Sequence, residues 1–222
     1  MGTHVERRND PVARPEGAPA FEIVAVASSA GGLAALTSLL SGLPASFPAP
    51  VLLVQHLDPR HKSLLADMLS RCTELPVKMA AGGDRLTGGS VFVAPPNYHL
   101  VVDPGGTLSL TQSELIHFLR PSADILFESV ANSFPGRSIA VVLSGTGSDG
   151  AKGVKAIKNS GGTVIAQDED TSEFFGMPSA AIARPGKLFA TDSNRMSAEG
   201  RKKCINSDCV RERVPPGSTS RW

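Results

Sequence analysis

Cysteine is scarce in this chain of 222 residues: Cys72, Cys204 and Cys209 are the three present. An odd number at unpatterned spacing supplies neither a disulfide framework nor a zinc-ligand set, and fits a reducing compartment, the cytoplasm. No run approaches the ~18 consecutive apolar residues that a membrane-spanning helix needs. The polar segment from Met1 to Pro19 also lacks the apolar stretch of a signal peptide. Insertion into a membrane is therefore not expected. Neither sign of charge is in excess, with 22 Lys and Arg against 21 Asp and Glu. That balance excludes a nucleic-acid binder held by bulk electrostatics. No histidine pair has metal-ligand spacing such as H-E-x-x-H, and the dinucleotide fingerprint G-x-G-x-x-G is unmatched, so neither metal nor cofactor is expected. Internal repeats and low-complexity tracts are also missing.

What the chain does contain suits one folded domain: 41% hydrophobic and 19% charged residues. Residues 1–20 and 196–222 are poor in branched apolar residues and read as flexible tails. The second tail is basic, with Arg201, Lys202, Lys203, Arg211, Arg213 and Arg221 against Asp208 and Glu212. Residues 21–195 form the expected domain. There, short apolar runs alternate with segments of helical periodicity. Glu22–Ala27, Val51–Val54, Ser138–Leu143, Thr163–Ala166 and Lys187–Ala190 read as strands. Gly31–Leu43, His61–Arg71, Ala123–Ser133, Gly150–Lys158 and Met177–Ala183 read as helices. Val91–Ala94, His99–Val102 and Thr107–Leu110, broken by Pro95-Pro96 and Gly105-Gly106, read as a hairpin region. Strands apolar on both faces and separated by helices imply βαβ units. The expected fold class is α/β, a doubly wound and mainly parallel sheet with helices on both faces and an antiparallel hairpin.

Each of the three clearest strands is followed by a polar residue suited to acyl transfer. EIVAVA runs into Ser28-Ser29-Ala30-Gly31-Gly32, VLLV into Gln55-His56, and SIAVVL into Ser144-Gly145-Thr146-Gly147-Ser148-Asp149. On neighbouring parallel strands these turns share the edge where such sheets bind ligands. Ser29, His56 and Asp149 then supply a hydroxyl, a base and a carboxylate to orient the base. The unpaired amides after Ser29, at Ala30, Gly31 and Gly32, suit a developing oxyanion. Each residue also has an ordinary reading: the serine turn can bind phosphate, His56 can be a hydrogen-bonded structural histidine, and Asp149 can cap the helix after Gly150. Among the other histidines, His61 reads as exposed and His117 as structural. His99 follows a loop that borders the cleft.

The blocks AVASSAGGLAAL (25–36), VQHLDP (54–59), APPNYHL (94–100), RPSADILFESV (120–130), VVLSGTGSDGAKGVKAIK (141–158) and AQDEDTSEFFGMPSAAI (166–182) resemble, in order, the catalytic domain of the CheB protein-glutamate methylesterases. The resemblance implies hydrolysis of γ-glutamyl methyl esters on the cytoplasmic helices of methyl-accepting chemoreceptors, with methanol released. In many members it extends to deamidation of receptor glutamines. It implies Ser29 as nucleophile, His56 as base and Asp149 as third member, with Ala30, Gly31, Gly32 and Thr146 around the oxyanion and substrate. Two positions depart from the family's habit: Ala30 stands where Thr is common, and Thr146 where Met is common. About 20 residues precede the first strand, too few for a receiver domain of ~120. The expectation is a stand-alone esterase, with any control coming from a separate response regulator. The alternatives are a non-catalytic module binding a receptor or a phosphate, and an esterase acting on a small molecule.

Overall fold

A computed structural model of the chain describes residues 21–56, 63–183 and 189–191. The described elements are β1 (Ile23–Ser28), α1 (Gly32–Ser41), β2 (Val51–Gln55), α2 (Leu65–Leu69), β3 (Val77–Met79), β4 (Val91–Val93), β5 (His99–Asp103), β6 (Thr107–Thr111), α3 (Ala123–Ser133), β7 (Ser138–Val142), α4 (Ala151–Asn159), β8 (Thr163–Gln167), α5 (Gly176–Ile182) and β9 (Phe189–Thr191). Seven strands form one sheet in the order β3-β4-β2-β1-β7-β8-β9. Every neighbouring pair in it is parallel. The chain places β2, β3 and β4 on one side of β1, then returns to place β7 on the other. This switch opens a crevice at the carboxyl ends of β1 and β7, where doubly wound sheets take ligands.

The apolar runs of the central strands follow from burial on both faces. All six residues of β1 are buried. Ile23, Ala25 and Ala27 belong to a core shared with Leu126, Phe127, Val154, Ile157 and Met177, so this face is covered by α3, α4 and α5. Val24 and Val26 face a second core with Leu36, Leu40, Leu65 and Leu69, from α1 and α2. Full burial of one such Leu, Ile or Phe side chain contributes about 1.5–3 kcal/mol before entropy is set against it. On the first face α3 and α4 pack tightly. A Cβ on Gly153 would lie 2.5 Å from Phe127 Cβ and 3.0 Å from the Asp124 carbonyl oxygen, so the contact requires glycine.

The expected fold class holds, with one element reassigned. Val91–Ala94 is not part of the hairpin: β4 lies inside the parallel sheet between β2 and β3. Its residues Val91, Phe92 and Val93 are buried on both sides, as a central strand requires. The antiparallel pair is β5 with β6, a separate ribbon whose Leu100, Val102 and Leu108 pack into the core of α3. The edge strand β3, only three residues long and part-exposed, carries no apolar run and was not expected. The expected helix 61–71 is described as Leu65–Leu69, and residues 61 and 62 lie outside the described residues. The last strand is Phe189–Thr191, residues 187 and 188 again lying outside them. Among the described residues, no helix is long and apolar enough to cross a membrane.

Candidate active site

Strand register sets the geometry. In the β1–β2 pair Ser28 lies opposite Gln55, so Ser29 and His56 leave adjacent strands at the same height. The His56 amide donates to the Ser28 carbonyl at 3.2 Å. The Gln55 side chain then ties the two turns together. Its Oε1 accepts from Ser28 Oγ at 2.5 Å, and its Nε2 donates to the Ser29 carbonyl at 2.8 Å. From the other side, the Ser29 amide donates to the Ser144 carbonyl at 2.9 Å. The backbone of Ser29 is thus held by both flanking strands. Its hydroxyl has no hydrogen-bond partner among the described residues.

The carboxyl end of β7 is bound into the same edge. Ser144 Oγ donates to the Ala30 carbonyl at 2.9 Å and accepts from the Phe174 amide at 3.0 Å. The Ser144 amide donates to Gln167 Oε1 at 2.8 Å. Gly145 is buried against the nucleophile turn: a Cβ there would overlap Met177 Sδ and lie 2.9 Å from Ser29 Cβ. Asp149 closes this loop, and its Oδ2 lies 2.8 Å from His56 Nε2. The two side chains are 9% and 1% exposed, so their attraction is little screened by water.

Asp149 does not cap its own helix. Gly150 stands at that N-cap with φ 92° and no side-chain cap. The carboxylate instead seats on the N-terminus of α3. Oδ1 accepts from Ser122 Oγ at 2.7 Å and from the Asp124 amide at 3.2 Å. Oδ2 accepts from the Ala123 amide at 2.6 Å. These orphan helix amides carry positive partial charge and favour an anion. Burial is the largest influence on Asp149 and pushes its acidity down. The hydrogen bonds from His56, Ala123 and Ser122 outweigh it together and hold the carboxyl below the usual range. Asp124 shows the opposite balance. Burial raises its pKa more than its bond from the Gly153 amide lowers it.

The amide donors around Ser29 divide into two groups. The Gly32 amide donates to the Ser29 carbonyl at 2.9 Å, and the Gly145 amide to the Phe174 carbonyl at 2.9 Å. Gly32 is therefore a packing residue. The amides of Ala30, Gly31 and Thr146 have no partner among the described residues. Gly31, with φ 69°, is the N-cap of α1, and a Cβ on it would lie 2.7 Å from Glu173 Oε2. A carboxylate therefore stands beside this turn, although nothing local in the sequence signals it. Also missed were Gln55, Ser144 and the Ser122–Asp124 cradle. The signal for the cradle was present in Pro121-Ser122-Ala123-Asp124, a serine just ahead of an apolar periodic segment. No cluster of His, Cys, Asp and Glu suited to a metal occurs among the described residues.

Residues 24–199 match the profile of the CheB methylesterase family. The chain is 42% identical over 189 residues to the protein-glutamate methylesterase/protein-glutamine glutaminase of group 3 operon of Pseudomonas putida, covering 82% of this chain and 56% of that protein. It is 44% identical over 173 residues to protein-glutamate methylesterase/protein-glutamine glutaminase 2 of Pseudomonas syringae, covering 77% and 52%. It thus spans about half the length of the curated relatives it matches. The crystal structure of the Thermotoga maritima CheB methylesterase catalytic domain superposes with a TM-score of 0.70 at 39% identity, over 73% of this chain and 87% of that one. A profile covering most of the chain, together with identity above 40% to the two Pseudomonas proteins, places it in the CheB methylesterase family.

Proposed function

We propose that this chain is a serine hydrolase that removes the methyl group from γ-glutamyl methyl esters of chemoreceptor cytoplasmic helices, releasing methanol. The observation that carries the reading is the 2.8 Å contact between His56 Nε2 and the seated Asp149 carboxylate, beside the serine turn, in a chain of this family. A carboxylate acceptor at Nε2 favours the tautomer with its proton there, leaving Nδ1 as the base. In the proposed cycle Nδ1 takes the Ser29 proton as Oγ attacks the ester carbonyl. The tetrahedral oxyanion is held by the amides of Ala30, Gly31 and Thr146. One such donor is worth about 3–4 kcal/mol where it has been removed elsewhere. Collapse expels methoxide, which leaves as methanol with the proton from His56. Water, deprotonated by the same nitrogen, then releases the free glutamate and Ser29.

The names of the relatives join a glutaminase to the esterase, and the same nucleophile attacks a side-chain amide with ammonia as leaving group. Deamidation of receptor glutamines is therefore included in the proposal. A substrate on receptor cytoplasmic helices places the enzyme in the cytoplasm. The test is methanol release from a methylated receptor fragment by the wild-type chain and by Ser29→Ala. Release by the wild type alone supports the reading, and equal release by both rejects it.

A further inference from the structure

His99 stands outside the three residues proposed for chemistry, at the start of β5 and with 0% exposure. Both of its ring nitrogens are engaged. Nδ1 accepts from the Ser122 amide at 3.1 Å. Nε2 lies 3.1 Å from the Glu114 carbonyl oxygen. An amide only donates and a carbonyl only accepts, so these two partners require a neutral ring with its proton on Nε2. Each partner leads to a different segment, one in the site and one beyond it. Ser122 begins the cradle: its hydroxyl and the next two amides hold Asp149. Glu114 lies at the base of a tight turn in which Ile116 bridges Leu119 while His117 and Phe118 take φ of 49° and 65°. Arg120 closes that turn by donating to the carbonyls of Gln112 and Ser113 at 3.0 and 2.7 Å.

We infer that His99 is a positioning residue for the reaction: its imidazole fixes the Ser122 amide, and through Ser122 the cradle that aims Asp149 at His56, while its other nitrogen anchors the 112–120 turn to the same point. The inference rests on reading Ser29, His56 and Asp149 as the reacting set. Filling the space between β5 and α3 does not by itself call for an imidazole, because a buried leucine fills such space without polar atoms to satisfy. What leucine lacks is an acceptor facing the N–H of Ser122, the N-cap of α3. If that N–H loses its partner, Ser122 is free to turn toward another, and Asp149 moves with the hydroxyl it accepts from. The charged groups acting on His99 are Arg120 and Asp149, with opposite effects on its proton affinity.

Two substitutions separate the two nitrogens. In His99→Asn the amide oxygen falls near the Nδ1 position and keeps an acceptor for the Ser122 amide, losing Glu114. In His99→Gln the longer side chain keeps a donor for Glu114 and loses the acceptor. Misplacement of a reacting group by about 1 Å costs on the order of 10²-fold. His99→Gln is therefore expected to lower kcat for the methylated receptor fragment by about that factor, with KM changed less than about twofold. His99→Asn is expected to recover at least tenfold of this loss. A second readout does not depend on turnover. The downfield proton resonance of His56 Nε2–H on Asp149 should persist in His99→Asn and shift or vanish in His99→Gln. A His99→Gln protein that keeps both kcat and this resonance overturns the inference. If His99→Gln fails to fold, the ¹⁵N spectrum of the wild-type ring decides: a neutral ring protonated on Nε2 supports the inference, and a ring protonated on Nδ1 or on both nitrogens overturns it. Ser29→Ala reports on the triad separately. Equal methanol release by it rejects the triad, while the His56 resonance still reports whether His99 sets the Asp149 contact.

Discussion

An Asp149→Asn exchange keeps the volume of the side chain and turns one of its two acceptor positions into a donor. Oδ1 serves Ser122 and Asp124, and Oδ2 serves Ala123 and His56. With the new NH₂ at the Oδ2 position, the Ala123 amide faces a donor and goes unpaired, which costs about 1–3 kcal/mol in a buried setting. Loss of the negative charge at the N-terminus of α3 removes a further ~0.5–1 kcal/mol. Relief of the burial penalty on the carboxylate offsets part of this, so a net loss of about 1–3 kcal/mol in folding stability is expected. The effect on rate is larger. The NH₂ donates to His56 Nε2, which forces the proton onto Nδ1 and removes the base. In serine proteases the equivalent exchange lowers kcat by about 10⁴-fold, and a loss of 10³–10⁴-fold is expected here. Methanol release measured with the folded variant, alongside its urea midpoint, separates the two effects. A kcat within about tenfold of the wild type would refute the reasoning that Asp149 sets the His56 tautomer.

Further outcomes follow from single contacts. Burial, the largest influence on His99, makes it bind a proton more weakly in the folded chain than in the unfolded one. The unfolded chain therefore takes up the proton first as pH falls, so folding stability declines below about pH 6.5 and is flat above it as far as this group is concerned. Urea midpoints at pH 8 and pH 5.5 should show this decline in the wild type and a smaller one in His99→Asn; equal declines would contradict it. Gly145→Ala drives a methyl into Met177 and Ser29, and should lower kcat by at least about 10²-fold by displacing the nucleophile turn. Unaltered kinetics would show that this turn yields. Phe118 is 93% exposed at φ 65°, so Phe118→Gly removes left-handed strain of ~1–2 kcal/mol, against a smaller entropic loss. Its melting temperature should rise, and a fall would show that the ring makes a stabilising contact.

How far the sequence could be read depended on whether a feature is local. β1, β2 and β7 were legible because Val26, Leu53 and Val141 face one core while their neighbours Ala25, Leu52 and Ala140 face the other, which demands uninterrupted apolar runs. The bounds of α3, Ala123–Ser133, were legible from its apolar periodicity. β3 was not, since three part-exposed residues around Lys78 take their strand form from pairing with β4. β4 was misassigned because a short apolar run does not name its partner. Ser29, His56 and Asp149 could be proposed because each follows a strand end. The seat of Asp149 on α3 could not, because it joins residues 25 or more apart in the chain. The spent amide of Gly32 and the carboxylate of Glu173 beside Gly31 are likewise consequences of turn geometry.

A serine-directed phosphonate probe, followed by intact mass and peptide mapping, addresses most directly whether the three turns act as one. The account predicts a single adduct on Ser29 in the wild type, formed orders of magnitude more slowly in His56→Ala and in Asp149→Ala. Labelling of Ser29 at the wild-type rate without the imidazole, or labelling of another residue, would contradict it.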